Sequence, residues 1–184
     1  AYFPDFTKDE WEKEVDGAAE AASVLGLTID QVHAPYNFYA HKPLEVFREQ
    51  LDRCIVAAKR MGGSYLIFHG DEYHPGAGEA FDADLALKTV YEIFAPYVEA
   101  TLTAGVTPVF ENAFEDNHRV PPKTRSHFCG ELPELLALLD RFNDPRIGCC
   151  WDFGHANTAN LSQEKALGEI GNRLKITHKC KICF

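Results

Sequence analysis

Residues 147–157 read Ile-Gly-Cys-Cys-Trp-Asp-Phe-Gly-His-Ala-Asn, an apolar run that stops at Asp152 and continues into His155 and Asn157. A short apolar run between turn signals is typical of a buried strand. The stretch therefore predicts a strand from Ile147 to Asp152 that carries a carboxylate at its carboxyl end. An imidazole follows three residues later, on the turn that leaves the strand.

Four further short stretches predict strands that end in a side chain that can bind a metal, namely His33, His69, Glu111 and His178. Longer stretches with apolar residues at helical spacing separate the five predicted strands. The predicted helices run from Thr7 to Gly26, from Pro43 to Gly62, from Asp82 to Gly105, through Leu132 to Leu139, and from Ser162 to Ile170. Strand and helix therefore alternate along the whole chain.

Local signals mark several helix boundaries. Thr7, three residues before Glu10, has the spacing of a capping box and predicts the start of the first helix, with Leu25 as its last inward residue. Pro96 predicts a kink or a break in the third helix, because proline lacks the N–H that a helix interior requires.

This alternation predicts an α/β fold with parallel strands joined by crossover helices, either in a closed barrel or in an open doubly wound sheet. No glycine-rich nucleotide-binding turn follows any of the strands. A few strands serve the ligand site of an open sheet, whereas all strands of a barrel end at one mouth. The polar residue at every strand end therefore favours the barrel.

The spacing of the strands predicts an incomplete barrel. A closed (β/α)8 TIM barrel needs about 250 residues, whereas this chain has 184 and begins with Ala. We expect a single domain over residues 1–184, a partial TIM barrel of about five βα units that is truncated at both ends.

Composition narrows the classes of function. The chain has 46% hydrophobic and 25% charged residues and no run near the roughly 20 apolar residues of a membrane span, so we expect a soluble cytoplasmic protein without a membrane partner. The net charge of −10 argues against a nucleic-acid partner. The six cysteines are expected to be reduced, and Cys180 and Cys183 lack the second ligand pair of a zinc knuckle. The oligomeric state stays open, with a homo-oligomer as one possibility.

The strand-end residues indicate a metal site. Glu111 and Asp152 follow apolar runs, and a buried carboxylate is costly unless a cation compensates its charge. Two carboxylates with several imidazoles suit zinc, manganese, cobalt or iron better than calcium. Asn112 and Asn157 are placed to position ligands or substrate hydroxyls.

The loop from Ala113 to Gly130 is long for a compact domain, which is typical of a functional segment. It carries Arg119, Lys123 and Arg125, which are candidate contacts for a substrate phosphate. An ordinary solvated loop is the equally weighted alternative.

Five motifs together resemble the xylose isomerase-like TIM barrel superfamily. They are His-Ala-Pro-Tyr (33–36), Ile-Phe-His-Gly (67–70), Val-Phe-Glu-Asn (109–112), Gly-Cys-Cys-Trp-Asp-Phe-Gly-His-Ala-Asn (148–157) and Lys-Ile-Thr-His (175–178). The superfamily includes sugar phosphate isomerases and epimerases and the apurinic endonuclease IV enzymes. The resemblance implies that the chain contains strands three to seven of eight.

The resemblance also implies roles. Glu111, Asp152 and His178 would bind a divalent metal (Mn, Co, Mg or Zn), with a fourth carboxylate from the eighth strand. In the epimerases Glu111 would also act as the acid/base group, and His155 would hold a substrate oxygen. Two features depart from the family pattern. Phe153 stands where the family usually has a small hydroxyl residue. After His178, the chain reads Lys-Cys-Lys-Ile-Cys-Phe, where the family usually has a polar segment.

Three functions follow from these expectations. The first is a metal-dependent isomerase or epimerase of a small sugar or sugar phosphate, which transfers a proton through an enediolate. The second is an endonuclease IV-like zinc phosphoesterase on abasic DNA, in which His33, His69 and Glu111 would hold one zinc, Asp152 and His178 would join Glu111 on a second, and His155 would serve a third. The third is a fragment that binds metal or sugar without turnover, and we expect the 184-residue chain alone to be inactive.

Overall fold

The structure, a computed structural model, describes residues 5–37, 42–70, 73, 80–114 and 127–178. Its strands are β1 (Gln31–His33), β2 (Tyr65–His69), β3 (Thr107–Glu111), β4 (Gly148–Asp152) and β5 (Leu174–His178). Its helices are α1 (Trp11–Val24), α2 (Leu44–Arg60), α3 (Ala83–Thr103), α4 (Leu132–Phe142), α5 (Phe153–Thr158) and α6 (Gln163–Ile170), and a 3₁₀ turn covers Gly171–Arg173. Helix and strand alternate as the sequence predicts, with α5 as an added element.

The five strands form one parallel sheet in the order β1-β2-β3-β4-β5. Their order in space is therefore their order in the chain. A doubly wound sheet reverses its strand order at a switch point, and the described sheet has no such reversal. The strands form a half-barrel, which confirms the predicted partial TIM barrel.

The two faces of the sheet carry different side chains, because successive residues of a strand point to opposite faces. Phe68, Phe110 and Trp151 belong to the large core that the helices cover. Ile67 and Val109 pack in a separate small cluster, together with Cys150. This second face is the interior of the half-barrel.

The strand register carries the polar strand ends onto the interior face. His69 is paired with Glu111, and Asp152 is paired with His178. Each of these residues lies two positions beyond a residue of the interior face along its own strand, for example Glu111 beyond Val109. Because the strands are parallel, their polar ends project into the same end of the half-barrel.

Aromatic packing between the helices and the sheet positions the polar ends of the strands. The ring centroid of Phe94 on α3 lies 5.4 Å from that of Phe68 and 5.8 Å from that of Phe110. The ring centroid of Phe47 on α2 lies 6.3 Å from that of Phe94. Such edge-to-face and tilted pairs add to the burial of apolar area. The core therefore holds the residues immediately before His69 and Glu111.

Two predictions for the first helix are wrong. Thr7 does not cap the helix; its hydroxyl donates to Asp5 Oδ1 at 2.6 Å, and α1 begins only at Trp11. A turn closed by Asp5 competes with the capping box for the same hydroxyl. Leu25 is 70% exposed rather than inward, because no described element covers the end of α1.

The break expected at Pro96 is also absent, since α3 is one helix from Ala83 to Thr103. Pro96 lies on the exposed face of the helix. The carbonyl of Glu92, which the proline leaves without its helical partner, therefore faces water that can replace the lost bond.

Cys54, Cys129, Cys149 and Cys150 are buried and free, as expected for reduced core cysteines. Among the helices that the structure describes, none is both long and apolar enough to span a membrane.

Candidate metal centre

Glu111 lies at the centre of the polar cluster, where β3 ends, and is only 1% exposed. Its Oε2 lies 3.0 Å from His33 Nε2 and 3.5 Å from His69 Nε2. Its Oε1 lies 3.1 Å from His178 Nδ1 and 3.6 Å from His155 Nδ1. Four imidazoles from four parts of the chain therefore converge on one buried carboxylate.

These contacts decide the charge of the cluster in the metal-free protein. Burial raises the pKa of Glu111, but hydrogen bonds from His178 and His33, with the attraction of His69 in its protonated form, together lower it well below its usual range. The hydrogen bond to Glu111 raises the pKa of His178, against the opposing effect of burial. Glu111 is therefore ionised at neutral pH, with His178 as its favoured cationic partner.

His69 has the opposite tendency. Burial lowers its pKa to about 3, and the neighbouring Glu111 only partly compensates. Its Nε2 lies 3.2 Å from His33 Nε2. Two facing imidazole nitrogens can share one proton at most, so one of them presents a lone pair. Lone pairs that converge beside a carboxylate are the donor arrangement of a metal site.

The turn after β4 positions the remaining donors. Asp152 is the N-cap of α5, and its Oδ1 accepts from the His155 N–H at 2.7 Å. His155 Nδ1 bonds the Asn112 carbonyl at 2.9 Å. α5 is absent from the sequence prediction, although an Asp before Phe-Gly-His-Ala-Asn is a recognisable N-cap signal. This single helical turn places His155 beside Glu111.

Asn112 joins the ends of β3 and β4. Its Oδ1 accepts from the Asp152 N–H at 2.7 Å, and its Nδ2 donates to the Asp152 carbonyl at 3.0 Å. The side chain is 1% exposed. Both polar atoms thus bond main chain, which favours a positioning role for Asn112 over direct contact with a substrate.

Two triads among the described residues have ligand atoms within 4.8 Å of one another. One contains His33, Glu111 and His178, and the other contains Glu111, Asp152 and His155. The triad implied by the family resemblance is divided between them and keeps Glu111 as the shared member. Nitrogen and carboxylate donors in this mixture fit a divalent transition metal.

The cluster faces a cavity of about 310 Å³ that Tyr36 and Phe114 also line. The Tyr36 ring lies 5.5 Å from His69, and the Phe114 ring lies 5.6 Å from His155. These two aromatic residues were not predicted from the sequence, because single aromatics beside a loop carry no signal of what they cover. They supply apolar walls to an otherwise polar site.

The structure does not bring every candidate to this cavity. His33, His69, Glu111, Asp152, His155 and His178 all line it. Asn157 lies exposed on α5 and is not among the lining residues. The proposed phosphate contacts Arg119, Lys123 and Arg125 and the pair Cys180 and Cys183 lie outside the described residues.

A family model described as "Xylose isomerase-like TIM barrel" matches residues 2–181. The chain belongs to this family. Membership in the xylose isomerase-like TIM barrels agrees with the half-barrel and with a cluster at the carboxyl ends of its strands. No curated protein matches the sequence.

Solved structures similar to this xylose isomerase-like chain show the same fold. The apo 3-keto-D-glucoside 4-epimerase from E. coli has a TM-score of 0.71 at 15% identity, over 90% of this chain and 64% of that one. A D-tagatose 3-epimerase-like protein has a TM-score of 0.68 at 20% identity, over 91% and 61%. A family 2 AP endonuclease from Brucella melitensis has a TM-score of 0.65 at 18% identity, over 89% and 62%. The chain thus spans less than two thirds of each of these proteins.

Proposed function

We propose that this chain carries the metal centre of a divalent-metal-dependent isomerase or epimerase that acts on a small sugar or sugar phosphate. One observation carries the proposal: a buried carboxylate, Glu111, at the centre of four imidazoles where parallel strands end. The likeness in fold to two epimerase structures supports it. The acidic net charge of −10 also suits a small substrate better than a polyanion.

In this proposal Glu111, Asp152 and His178 hold the metal, which is Mn, Co, Mg or Zn. When bound there, a divalent ion would act as a Lewis acid that stabilises the negative charge developing on substrate oxygens. Additional donors come from His33 and His69, which lie beside Glu111 Oε2.

The protein's own groups then handle the proton and the substrate. Glu111 is ionised at neutral pH and is therefore ready to accept a proton from carbon and to return it. His155 bonds a carbonyl oxygen through Nδ1, so that nitrogen carries the proton and Nε2 is left to accept from a substrate hydroxyl. Tyr36 and Phe114 line the same cavity, where their apolar faces would limit the water around the reacting groups.

A zinc phosphoesterase on abasic DNA is the second candidate. The specific observation in its favour is the approach of His33 and His69 to one oxygen of Glu111 while His178 and His155 approach the other, because this arrangement offers donors for more than one ion. The similar family 2 AP endonuclease supports it. The acidic net charge of −10 makes it the weaker candidate, since a DNA substrate requires a basic surface.

Metal binding by the 184-residue chain is the first test. The metal-free protein is titrated with Mn²⁺, Co²⁺ and Zn²⁺, and bound metal is counted by elemental analysis. We expect one equivalent to bind and Asp152→Asn to weaken its binding by about tenfold or more. Asp140→Asn is the matched control, because Asp140 is 73% exposed in its side chain and pairs with Arg173 at the surface. Equal metal binding by the wild type, Asp152→Asn and Asp140→Asn would contradict the proposed metal centre.

Activity assays separate the candidate functions. Ketose isomerisation that both Glu111→Gln and Asp152→Asn abolish would support the isomerase, whereas cleavage of an abasic oligonucleotide with two or three bound zinc ions would replace it with the nuclease. Bound metal with neither activity would support our expectation that the 184-residue chain binds without turnover. The same assays on a longer chain with a complete barrel then test the isomerase itself.

A further inference from the structure

A second cavity, of about 440 Å³, adjoins the metal centre. Phe6, Pro35 and Tyr36 contribute to its apolar wall, and Gln50 on α2 contributes to its polar wall. Small-molecule sites typically measure about 300–1,000 Å³ and combine apolar walls with a few placed polar groups. The cavity has the size and the lining of such a site.

Tyr36 lines both this cavity and the cavity of the metal centre, so the two cavities are neighbours. Ala34 and Pro35 connect it to His33, the last residue of β1. A molecule that reacts at Glu111 and extends past Tyr36 therefore enters the second cavity.

Hydrogen bonds hold the walls of the second cavity in place. Arg53 donates to the Phe6 carbonyl at 2.7 Å and so fixes the segment before α1 against α2. Asn37 accepts from the Lys42 N–H at 2.9 Å and donates to the Lys42 carbonyl at 3.2 Å, which holds these two residues together. Walls that are already held lose little conformational freedom when a ligand binds.

Gln50 is the feature that indicates a ligand. The residue is only 6% exposed, yet within the described part of the chain its side-chain oxygen has no hydrogen-bond partner. A buried acceptor without a partner destabilises the folded protein, so such groups are rare unless a ligand completes them. Gln50 lines the cavity, and because the terminal amide torsion of glutamine is broad, a rotation of the amide would be enough to bring the oxygen to a ligand there.

The charges at this cavity indicate a neutral ligand. Asp5 and Lys42 both line it and carry opposite charges. Lys42 Nζ donates to the Tyr36 carbonyl, and the Asp5 carboxylate accepts from Thr7. A phosphate would require a net positive wall, whereas an apolar aromatic face with an acceptor beside it suits a hydroxylated ring.

We propose that the second cavity is a subsite for a non-reacting sugar ring, which packs on Tyr36 and donates a hydroxyl to Gln50, so that the substrate is a glycoside rather than a free monosaccharide. The inference rests on the proposed function, because it places the reacting ring of the same molecule at Glu111.

The experiment measures dissociation constants by NMR titration of the Zn²⁺-loaded protein, with glucose as the one-ring probe and cellobiose and maltose as the two-ring probes. We expect one disaccharide to bind about tenfold more tightly than glucose, and Gln50→Met to reduce that ratio about threefold or more. In the metal-free protein, Gln50→Met should raise the melting temperature, because the unpaired acceptor is gone. A purely structural glutamine would give the opposite shift.

Gln31→Met is the matched control, because Gln31 is exposed at the other end of β1; it should leave the ratio and the melting temperature unchanged. A ratio near one in the wild type, or an equal ratio in Gln50→Met, would overturn the subsite. If glucose binding still disappears in Asp152→Asn, only the subsite fails. If no sugar binds at all, the subsite and the proposed function fail together.

Discussion

Imidazoles, rather than lysine or arginine side chains, stabilise the buried negative charge of Glu111. The described residues that line its cavity include four histidines and no lysine or arginine. An imidazole can carry a proton or present a lone pair near neutral pH, whereas guanidinium and ammonium groups remain cationic. The cluster can therefore exchange protons for a metal ion without rebuilding the site.

The pKa shifts of the cluster predict how the metal-free protein depends on pH. The lowered pKa of Glu111 stabilises the fold above about pH 4.3, and this contribution disappears as the pH falls through the folded-state pKa. The raised pKa of His178 stabilises the fold below about pH 6.5, and this contribution disappears as the pH rises through the folded-state pKa. The pair therefore contributes most between these two values.

Glu111→Gln should lower the free energy of unfolding of the metal-free protein by about 1–3 kcal/mol near pH 5.5 and by less near pH 9. The reason is that the variant removes the charged acceptor of His178 and His33. Urea unfolding in excess chelator measures the difference at each pH. Glu99→Gln on the exposed side of α3 is the control. A loss that is the same at both pH values would show that the charge pair does not stabilise the fold.

At the scale of the elements, β2, β3 and β4 were predictable because burial on both faces leaves a nearly continuous apolar run. β4 and β5 end at Asp152 and His178, the residues that the sequence indicates. Helix starts were less predictable, because they depend on which nearby side chain reaches a free N–H first. Thr7 bonds Asp5 instead of capping α1, whereas Asp82 does cap α3.

The members of the candidate site were predictable, but their pairing was not. A polar residue at a strand end is visible in the sequence, and five such residues meet in one cavity together with His155 from α5. Which donors share a triad depends on strand register and side-chain direction. The offset between β3 and β4 pairs Glu111 with Cys150, so Asp152 extends beyond Glu111 and meets His155 on α5.

A substitution at Gly148 tests whether the close approach of β4 and β5 positions the site. A Cβ at this position would lie 2.7 Å from the Arg173 carbonyl oxygen and would also meet the Lys175 side chain. Gly148→Ala should therefore displace β5 and destabilise the protein by about 1–3 kcal/mol. Metal affinity should fall as well, because β4 and β5 carry Asp152 and His178.

Gly168→Ala is the matched control on α6, where an added Cβ meets nothing within 4 Å. It should stabilise the helix by about 0.5–1 kcal/mol, because alanine loses less backbone freedom than glycine. Thermal unfolding and metal titration of both variants separate the two effects. If Gly148→Ala is as stable as the wild type and binds metal equally well, close packing of β5 does not position the site.

At the scale of the whole molecule, the described sheet has two edges, β1 and β5. Three exposed apolar side chains at and just after the end of α1 precede β1 in the chain and are called here the apolar patch: Val24 is 80% exposed, Leu25 70% and Leu27 62%. Unpaired strand edges and contiguous apolar patches both favour association between chains. We therefore expect copies of the chain to contact one another through the β1 edge and the apolar patch.

We therefore predict that the 184-residue chain associates with itself in a concentration-dependent way. The double variant Leu25→Glu/Leu27→Lys should shift association to about tenfold higher protein concentration, because it places charges in the patch without touching the core. Light scattering after size-exclusion chromatography measures the mass at each concentration. Leu85→Glu is the control, because Leu85 is 47% exposed on α3, away from the end of α1. Equal association by the double variant and the wild type would assign the contact to another surface, with the β5 edge as the next to test.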